Sequence, residues 1–444
     1  MFEPSTPLST LLARAAGQQP AALQAALDRV SEFPSPAQAQ LTGLLLDPAG
    51  RQFTEEFLDS WWADAGRRQR LLQTASPDRE VIIGSGVHAA VYAAVRVQRG
   101  FAKPLVLERG TRVGGTFALT GRPAFYLNSR NRRGVSGIAG DQGADLNYLP
   151  GAPVQAADLS MREYQPNTDL GLAVRLALAQ YADVVTEAEV AGVDEDGLGV
   201  QLDIAGADPV FAGRVIDARG LGDPRDQQWA DGVTICTFEQ FMRRMAGVWP
   251  LRGVRRVAVI GGGDCGKCAV ESCLGLAPPP VAGLDRVEQV DWYAPGLPDR
   301  CKPWRREVRG RYQSIGRYLR PDRRGTRRLM VLPRASRPVG LPGQGLVDGR
   351  GYDLVVVCTG YAERRLPGLG FEDFTPYAIP GGPVVAAAHD ELPVWRVGPH
   401  ARLGFCGREY RDGLADNPGN AVAVFRTVPN TAALAATLTA PPSF

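Results

Sequence analysis

Twice in this chain a run of β-branched and apolar residues ends in closely spaced glycines and opens onto an apolar helix. The first is Val81-Ile82-Ile83-Gly84-Ser85-Gly86-Val87-His88-Ala89-Ala90; the second is Val257-Ala258-Val259-Ile260-Gly261-Gly262-Gly263-Asp264-Cys265-Gly266. Few patterns restrict a fold as tightly. The first glycine permits a sharp turn off the strand, and the next lets a pyrophosphate approach the backbone. A small residue three positions on (Ala89, Gly266) lets the helix pack closely on its strand. The helix N-terminus then presents free N–H groups to the phosphates. Each stretch therefore predicts a strand, a turn and a helix in an α/β fold, and a dinucleotide above the turn.

The two turns differ in the residue that ends the next strand. After the first, Pro104-Leu105-Val106-Leu107 ends in Glu108, 24 residues beyond Gly84. That is close to the spacing of a carboxylate that binds a ribose hydroxyl. Gly114 and Gly115 come soon after and suit a second close approach of backbone to an extended cofactor. After the second turn, the strand Val287 to Tyr293 does not end in an acid. Arg300, Lys302, Arg305 and Arg306 lie just beyond it. Basic side chains there welcome a 2′-phosphate that an acid would repel, so NADPH is expected in preference to NADH. Two strands run into glycine further on, Arg214 to Gly220 and Tyr352 to Gly360 with Thr359. They suit a chain that leaves one unit, builds another and returns.

The 444 residues are 44% hydrophobic and 22% charged, the balance of globular protein in two or three domains. No apolar run is long enough to span a bilayer. Glu3 and the lack of a basic region before an apolar core argue against a secretory signal. The seven cysteines, odd in number and irregularly spaced, read as reduced, and a cytoplasmic location is expected. The three histidines are not paired at metal-ligand spacing, so a zinc or di-iron site is not expected. Residues 1–78 read as a helical extension, with Leu8, Leu11, Leu12 and Ala15 on one face and Leu23, Ala26, Leu27 and Val30 on another. Pro34 and Pro36 break that pattern, which resumes from Phe53 to Leu72. The segment is either a cap on the main body or a lid or docking surface. Leu170 to Tyr181, Ala269 to Leu276 and about Asn420 to Leu438 read as helices. The loop-rich stretch 118–165 is a place to look for active-site residues.

Two glycine turns and two strand-to-glycine returns in this order resemble the flavoproteins with two dinucleotide-binding domains, among them flavin-dependent monooxygenases and thioredoxin reductases. The resemblance covers residues 80 to 444. It implies two Rossmann-like domains, the second inserted in the first: an FAD domain at 79–235 and 359–444, and an NADPH domain at 236–358. Gly84, Gly86, Ala89, Glu108, Gly114, Gly115 and Gly398 would serve FAD. Gly261, Gly263 and Gly266 would serve NADPH, with Thr359 and Gly360 at the return. The last helix would face the flavin ring with its N-terminus. Arg219 and Cys358 depart from the family's Ala-Thr-Gly returns, and Pro399-His400 from its Gly-Asp.

The disulfide-reductase branch of that family places a cysteine pair beside the flavin. No cysteine lies between Gly114 and Arg133, and Cys236 stands alone before the second turn. Cys265-Gly266-Lys267-Cys268 overlaps the phosphate turn itself. A helix N-terminus lowers a thiol pKa, yet small buried residues filling the turn are the simpler reading. Asn128-Ser129-Arg130 is similar to the Asn-Ser/Thr-Ser-Lys segment of flavin-containing monooxygenases. The likeness implies Asn128 stabilising an oxygen adduct, with Arg130 and Arg133 as substrate or nicotinamide contacts. The Baeyer–Villiger signature and the lysine and ornithine hydroxylase patterns are not evident. The expected activity is monooxygenation of a small-molecule substrate by molecular oxygen through a flavin C4a-hydroperoxide. The alternative is a reductase or dehydrogenase without oxygenation. The stretch 300–328 holds twelve Lys or Arg against Glu307 and Asp322. It reads as a solvated loop or a docking site for an acidic protein partner, ahead of nucleic acid.

Overall fold

The computed structural model describes residues 3, 5–29, 35–74, 78–119, 121, 123–130, 149, 152–160, 162, 164–197, 199–245, 253–276, 284, 286–294, 315–316, 318, 328–333, 335–362, 364–382, 384–399 and 424–439. Five helices come first: α1 (Leu8–Ala16), α2 (Pro20–Leu27), α3 (Ser35–Leu46), α4 (Pro48–Ala63) and α5 (Ala65–Gln73). Two departures from the sequence expectation have plain causes. Pro36 starts α3 instead of breaking a helix, because the first helical turn has no use for the missing N–H. Phe53 to Leu72 is two helices, because Asp64 is extended and its carboxylate caps α5 at the Arg67 N–H. The apolar faces of α1 to α4 share one core with the helices that flank the first sheet.

That sheet is built by β1 (Glu80–Ile83), α6 (Val87–Gln98), β2 (Leu105–Leu107), α7 (Gly115–Ala118), a two-stranded ribbon of β3 (Tyr126–Arg130) and β4 (Tyr164–Pro166), then α8 (Asn167–Tyr181) and β5 (Asp183–Val185). An antiparallel flap comes next, of β6 (Val190–Asp196), β7 (Gly199–Ile204) and β8 (Val210–Ala212). The chain re-enters the sheet at β9 (Arg214–Asp217). The continuous apolar runs of β1, β2 and β9 are buried on both faces, as a helix-covered parallel sheet demands.

After β10 (Asp223–Pro224) the chain builds a second sheet from β11 (Ile235–Thr237), α9 (Phe238–Met245), β12 (Arg256–Ile260), α10 (Asp264–Cys273), β13 (Gln289–Tyr293) and β14 (Leu329–Leu332). A small antiparallel sheet, β15 (Val339–Leu341), β16 (Gln344–Val347) and β17 (Arg350–Tyr352), leads to β18 (Leu354–Val357). Tyr352 to Val357 is thus two strands rather than one. Asp353 interrupts them, and its carboxylate accepts the Arg255 and Arg256 N–H groups at 2.8 and 2.9 Å, fixing the start of β12. Next, β19 (Tyr361–Ala362) pairs antiparallel with β10, so the segments after β9 and after β18 are zipped together. The chain then returns to the first sheet through β20 (Phe374–Ala378), β21 (Val384–His389) and β22 (Val394–Arg396), and ends its described part in α11 (Val424–Thr437).

The orders are β20-β21-β22-β9-β1-β2-β5 and β11-β18-β12-β13-β14. In each, the strand before the glycine turn is central and its neighbours leave in opposite directions. β1 stands between β2 and β9, and β12 between β13 and β18, all parallel. Such a reversal opens a crevice at the carboxyl ends of the strands, where ligands of open α/β sheets bind.

A buried ionic clamp ties α11 to β1. Glu80 accepts Arg96 Nε at 2.9 Å and Nη2 at 2.6 Å, and Arg214 Nη1 at 2.5 Å. Arg96 also donates to the carbonyls of Leu438 and Thr439, and Arg214 to that of Thr439. All three side chains are almost wholly buried. Two guanidiniums face one carboxylate, and the negative end of the α11 dipole offsets the second positive charge. Glu80→Ala is expected to destabilise the fold by about 3–5 kcal/mol, because it strands two buried cations. Urea unfolding would measure the loss.

Candidate functional site: two phosphate turns

The glycine turns repeat one construction. Gly84 N–H donates to Leu107 O at 2.8 Å, and Gly261 N–H to Tyr293 O at 2.8 Å. The carbonyl before each turn accepts from the return segment, Ile83 O from Ala218 N–H at 2.9 Å and Ile260 O from Cys358 N–H at 2.7 Å. Gly84 and Gly261 have φ of +95° and +125°, a region that only glycine enters freely. A Cβ on Gly84 would come within 3.0 Å of Ala218 O, and one on Gly261 within 2.0 Å of Cys358 O. Each first glycine is therefore required by the backbone crossing beside it.

The second glycines differ in kind. Gly86 and Gly263 are the N-caps of α6 and α10, extended and without a side-chain cap. A Cβ added to either meets no described atom within 4 Å. Each helix thus starts at an open glycine, with N–H groups that no cap side chain satisfies. Such a start suits an anion. The third positions act in packing, since Ala89 is wholly buried and a Cβ on Gly266 would lie 2.0 Å from Gly261 O. In the first turn of α10 Asp264 is exposed and paired with Lys267 at 3.1 Å.

Around the first turn the structure brings together most of the residues expected there. Glu108 stands at the end of β2, its Oε2 accepting the Ser85 N–H at 3.1 Å and the Ser85 hydroxyl at 2.6 Å. Its Oε1 accepts the Gly110 N–H at 2.8 Å. A carboxylate has about four acceptor sites, so Glu108 keeps capacity for a ribose hydroxyl. Gly114 (φ +114°) donates its N–H to Ser85 Oγ at 3.1 Å. A Cβ on Gly115 would sit 2.9 Å from the Gly86 Cα. The Gly-Gly turn is thus closed onto the phosphate turn. Gly398 (φ +69°) packs against the ring of His88 on α6, which a Cβ would meet at 2.6 Å. His88 is held between Thr427 and Thr431 of α11 at 3.1 and 3.0 Å.

Two residues in this network carry no clear signal in the sequence. Ser85 links Glu108 to Gly114, and only its place inside Gly-x-Gly marks it. Arg219, a departure from the family's threonine, folds back as a two-point partner of buried Asp217, at 2.8 and 3.0 Å. It also donates to the Arg364 and Arg365 carbonyls, fixing the return beside Gly84.

At the second turn, Thr359 and Gly360 come directly after the Cys358 carbonyl that crosses Gly261, and Gly360 O accepts the Arg225 N–H at 3.0 Å. No disulfide joins the described cysteines. Helix position alone would lower the Cys265 thiol pKa, but burial wins and pushes it up to about 12, with Cys268 adding like-charge repulsion. Burial raises Cys236 to about 12 as well, and pushes the Cys358 thiol well above its ordinary value. These thiols are neutral near pH 7 and are poor nucleophiles. Cys265→Ser and Cys268→Ser are expected to keep any NADPH oxidation within about twofold of the parent. Steady-state kinetics would check this, and lost turnover with retained NADPH binding would make the pair redox-active.

The strand β3 carries the backbone of Asn128 and Arg130 and pairs with β4. The side chains of Asn128, Ser129 and Arg130, and the whole of Arg133, Arg300, Lys302, Arg305 and Arg306, lie outside the described residues, as does most of 300–328. Among the described residues no helix is long and apolar enough to cross a membrane.

Parallel sheets with glycine turns at their reversal points define a Rossmann-type α/β fold. No protein-family model matches the sequence, and no curated protein does. Solved structures do. The chain is similar to an ornithine N-hydroxylase from Kutzneria sp. 744, in a structure with reduced FAD, NADP+ and L-ornithine (14% identity, TM-score 0.52, 80% of this chain and 96% of that one). It is similar to an ornithine hydroxylase from Pseudomonas aeruginosa (12%, 0.52, 81% and 98%). It is also similar to the FAD-bound cadaverine monooxygenase of desferrioxamine biosynthesis from Erwinia amylovora (11%, 0.51, 80% and 94%). At these identities the likeness is one of fold.

Proposed function

We propose that this protein is an FAD- and NADPH-dependent monooxygenase of a small-molecule substrate, with FAD in the first sheet and NADPH in a second domain inserted into it. The observation that supports this most is the duplicated phosphate turn, each copy with an open cradle before an uncapped helix. Two such cradles suit two dinucleotides. Glu108 beside the first accepts hydrogen bonds from an unphosphorylated ribose. β13 is followed by buried Ala294 instead of an acid, which leaves a 2′-phosphate unopposed.

FAD, once reduced, supplies the oxygen chemistry that no side chain can provide. The rest falls to the chain. The amides after Gly86 and Gly263 hold pyrophosphates, Gly114 and Gly115 close over the first, and Gly398 meets the start of α6. Asn128 is assigned to the flavin as a hydrogen-bond donor, with Arg130 and Arg133 as contacts to substrate or nicotinamide. Arg300, Lys302, Arg305 and Arg306 are assigned to the 2′-phosphate. Cys265 and Cys268, free thiols on the helix of the second turn, are not joined as a disulfide.

The test is to purify the protein, measure bound FAD, and follow NADPH and oxygen consumption against a panel of primary amines and thioethers. The expected result is a yellow protein that prefers NADPH and yields products heavier by one oxygen atom. Equal NADPH oxidation without oxygen, given a protein or quinone acceptor, would replace the monooxygenase with a reductase. A protein that takes up no FAD would end both readings.

A further inference from the structure

We propose that helix α4, which lies outside both sheets, is a positioning element for the flavin. Its carboxylates on Glu55 and Asp59 hold Arg112 and Arg175 so that the Gly114-Gly115 turn stays closed on the first phosphate turn. The inference rests on FAD occupying the first sheet.

Arg175 lies on α8 and is 1% exposed. Its stem runs beside Gly114, where a Cβ would come within 3.0 Å of its Cγ. The guanidinium reaches out of α8 to α4, donating to Asp59 Oδ1 at 2.5 Å and to Glu55 O at 3.4 Å. Arg112 meets the same carboxylate and the same segment. It donates to Ala118 O at the end of α7, to Asp59 Oδ2 at 3.0 Å, and lies 3.9 Å from Glu55. Asp59 therefore bridges the two arginines that bracket residues 113–118. Glu55 is itself held by Arg51, which also pairs with buried Asp169 on α8 at 2.8 Å.

The turn has little freedom elsewhere. A Cβ on Gly171 would lie 2.6 Å from Phe117 O, so α8 already presses on α7. The space among Glu55, Arg112, Thr168, Gly171 and Arg175 is only about 10 Å³, room for at most one water. Among the described residues Arg175 Nε has no hydrogen-bond partner, and burial lowers its pKa to about 10. Without Asp59 the buried cation loses its anion and must move, and its stem would carry Gly114 away from Ser85 and Gly86. The sequence puts α4 more than a hundred residues before Arg175, yet α4 closes the cradle.

The experiment is FAD titration of the deflavinated full chain. Asp59→Asn is expected to weaken FAD about tenfold or more, because it removes the anion that holds the buried Arg175 guanidinium, and to blur the structured absorbance band of bound flavin. The FAD-free protein should also melt a few degrees lower, so the effect on FAD is read against the Asp59→Glu variant. Asp59→Glu should restore affinity. Arg112→Gln, which strands no buried charge, should weaken FAD in the same direction and leaves the test open if Asp59→Asn folds poorly. Parent-like FAD affinity in both Asp59→Asn and Arg112→Gln overturns the proposal. So does a matched loss of FAD-free stability and affinity that Asp59→Glu does not rescue. A parent protein that binds no FAD would instead overturn the assignment of the first sheet.

Discussion

Gly86→Val is expected to yield a folded, colourless protein. The backbone at Gly86 is extended at φ −83°, so valine is tolerated there, and an added Cβ meets no described atom within 4 Å. The FAD-free fold is therefore expected to keep its stability. The branched side chain would instead fill the space in front of the α6 amides, where a pyrophosphate must come within hydrogen-bond reach. FAD affinity should fall about a thousandfold, the loss of roughly 4 kcal/mol of phosphate contacts. Absorbance of the purified variant and its FAD-free melting curve read the two halves of this result. A yellow Gly86→Val protein would remove the first turn from cofactor binding.

Gly261→Ala is expected to act on the other cradle by the opposite route. Alanine at φ +125° is strained, and its Cβ would stand 2.0 Å from Cys358 O, so β12 and β18 must part at their carboxyl ends. Strain and overpacking together cost about 2–5 kcal/mol. The variant should melt earlier, keep FAD, and raise the KM for NADPH about a hundredfold or more. Gly263→Val separates the causes, because a Cβ there enters open space. It should lose NADPH with no change in melting. If Gly261→Ala kept the parent KM, the second turn would not be a nucleotide site.

The parts of this fold that were legible in the sequence are those governed by local rules. Gly84 and Gly261 announce left-handed turns, and the β-branched runs before them announce buried strands, because only those residue types fit. Glu108 was legible from its interval to Gly84. The helix α3 was not, because a proline at its start looks like a break until the helix is seen. The interruption at Asp353 was hidden too, since its carboxylate serves residues nearly a hundred positions earlier. The same holds for the site. Asp59, Arg112 and Arg175 carry no motif, and their charges become informative only once α4 is laid on α8. Arg219 looked like a defect in a return motif, and its partner Asp217 was two residues away but unreadable without the turn between them.

The clamp at Glu80 orders events in time. Arg96 and Arg214 are satisfied only when the carbonyls of Leu438 and Thr439 arrive, so the first strand of the sheet waits for the end of α11. The five-stranded sheet is made wholly from residues 235–357 and needs none of those late carbonyls. The two sheets therefore differ in how far along the chain their contacts reach: one closes on neighbours in sequence, while the other is sealed by residues more than 300 positions from its first strand.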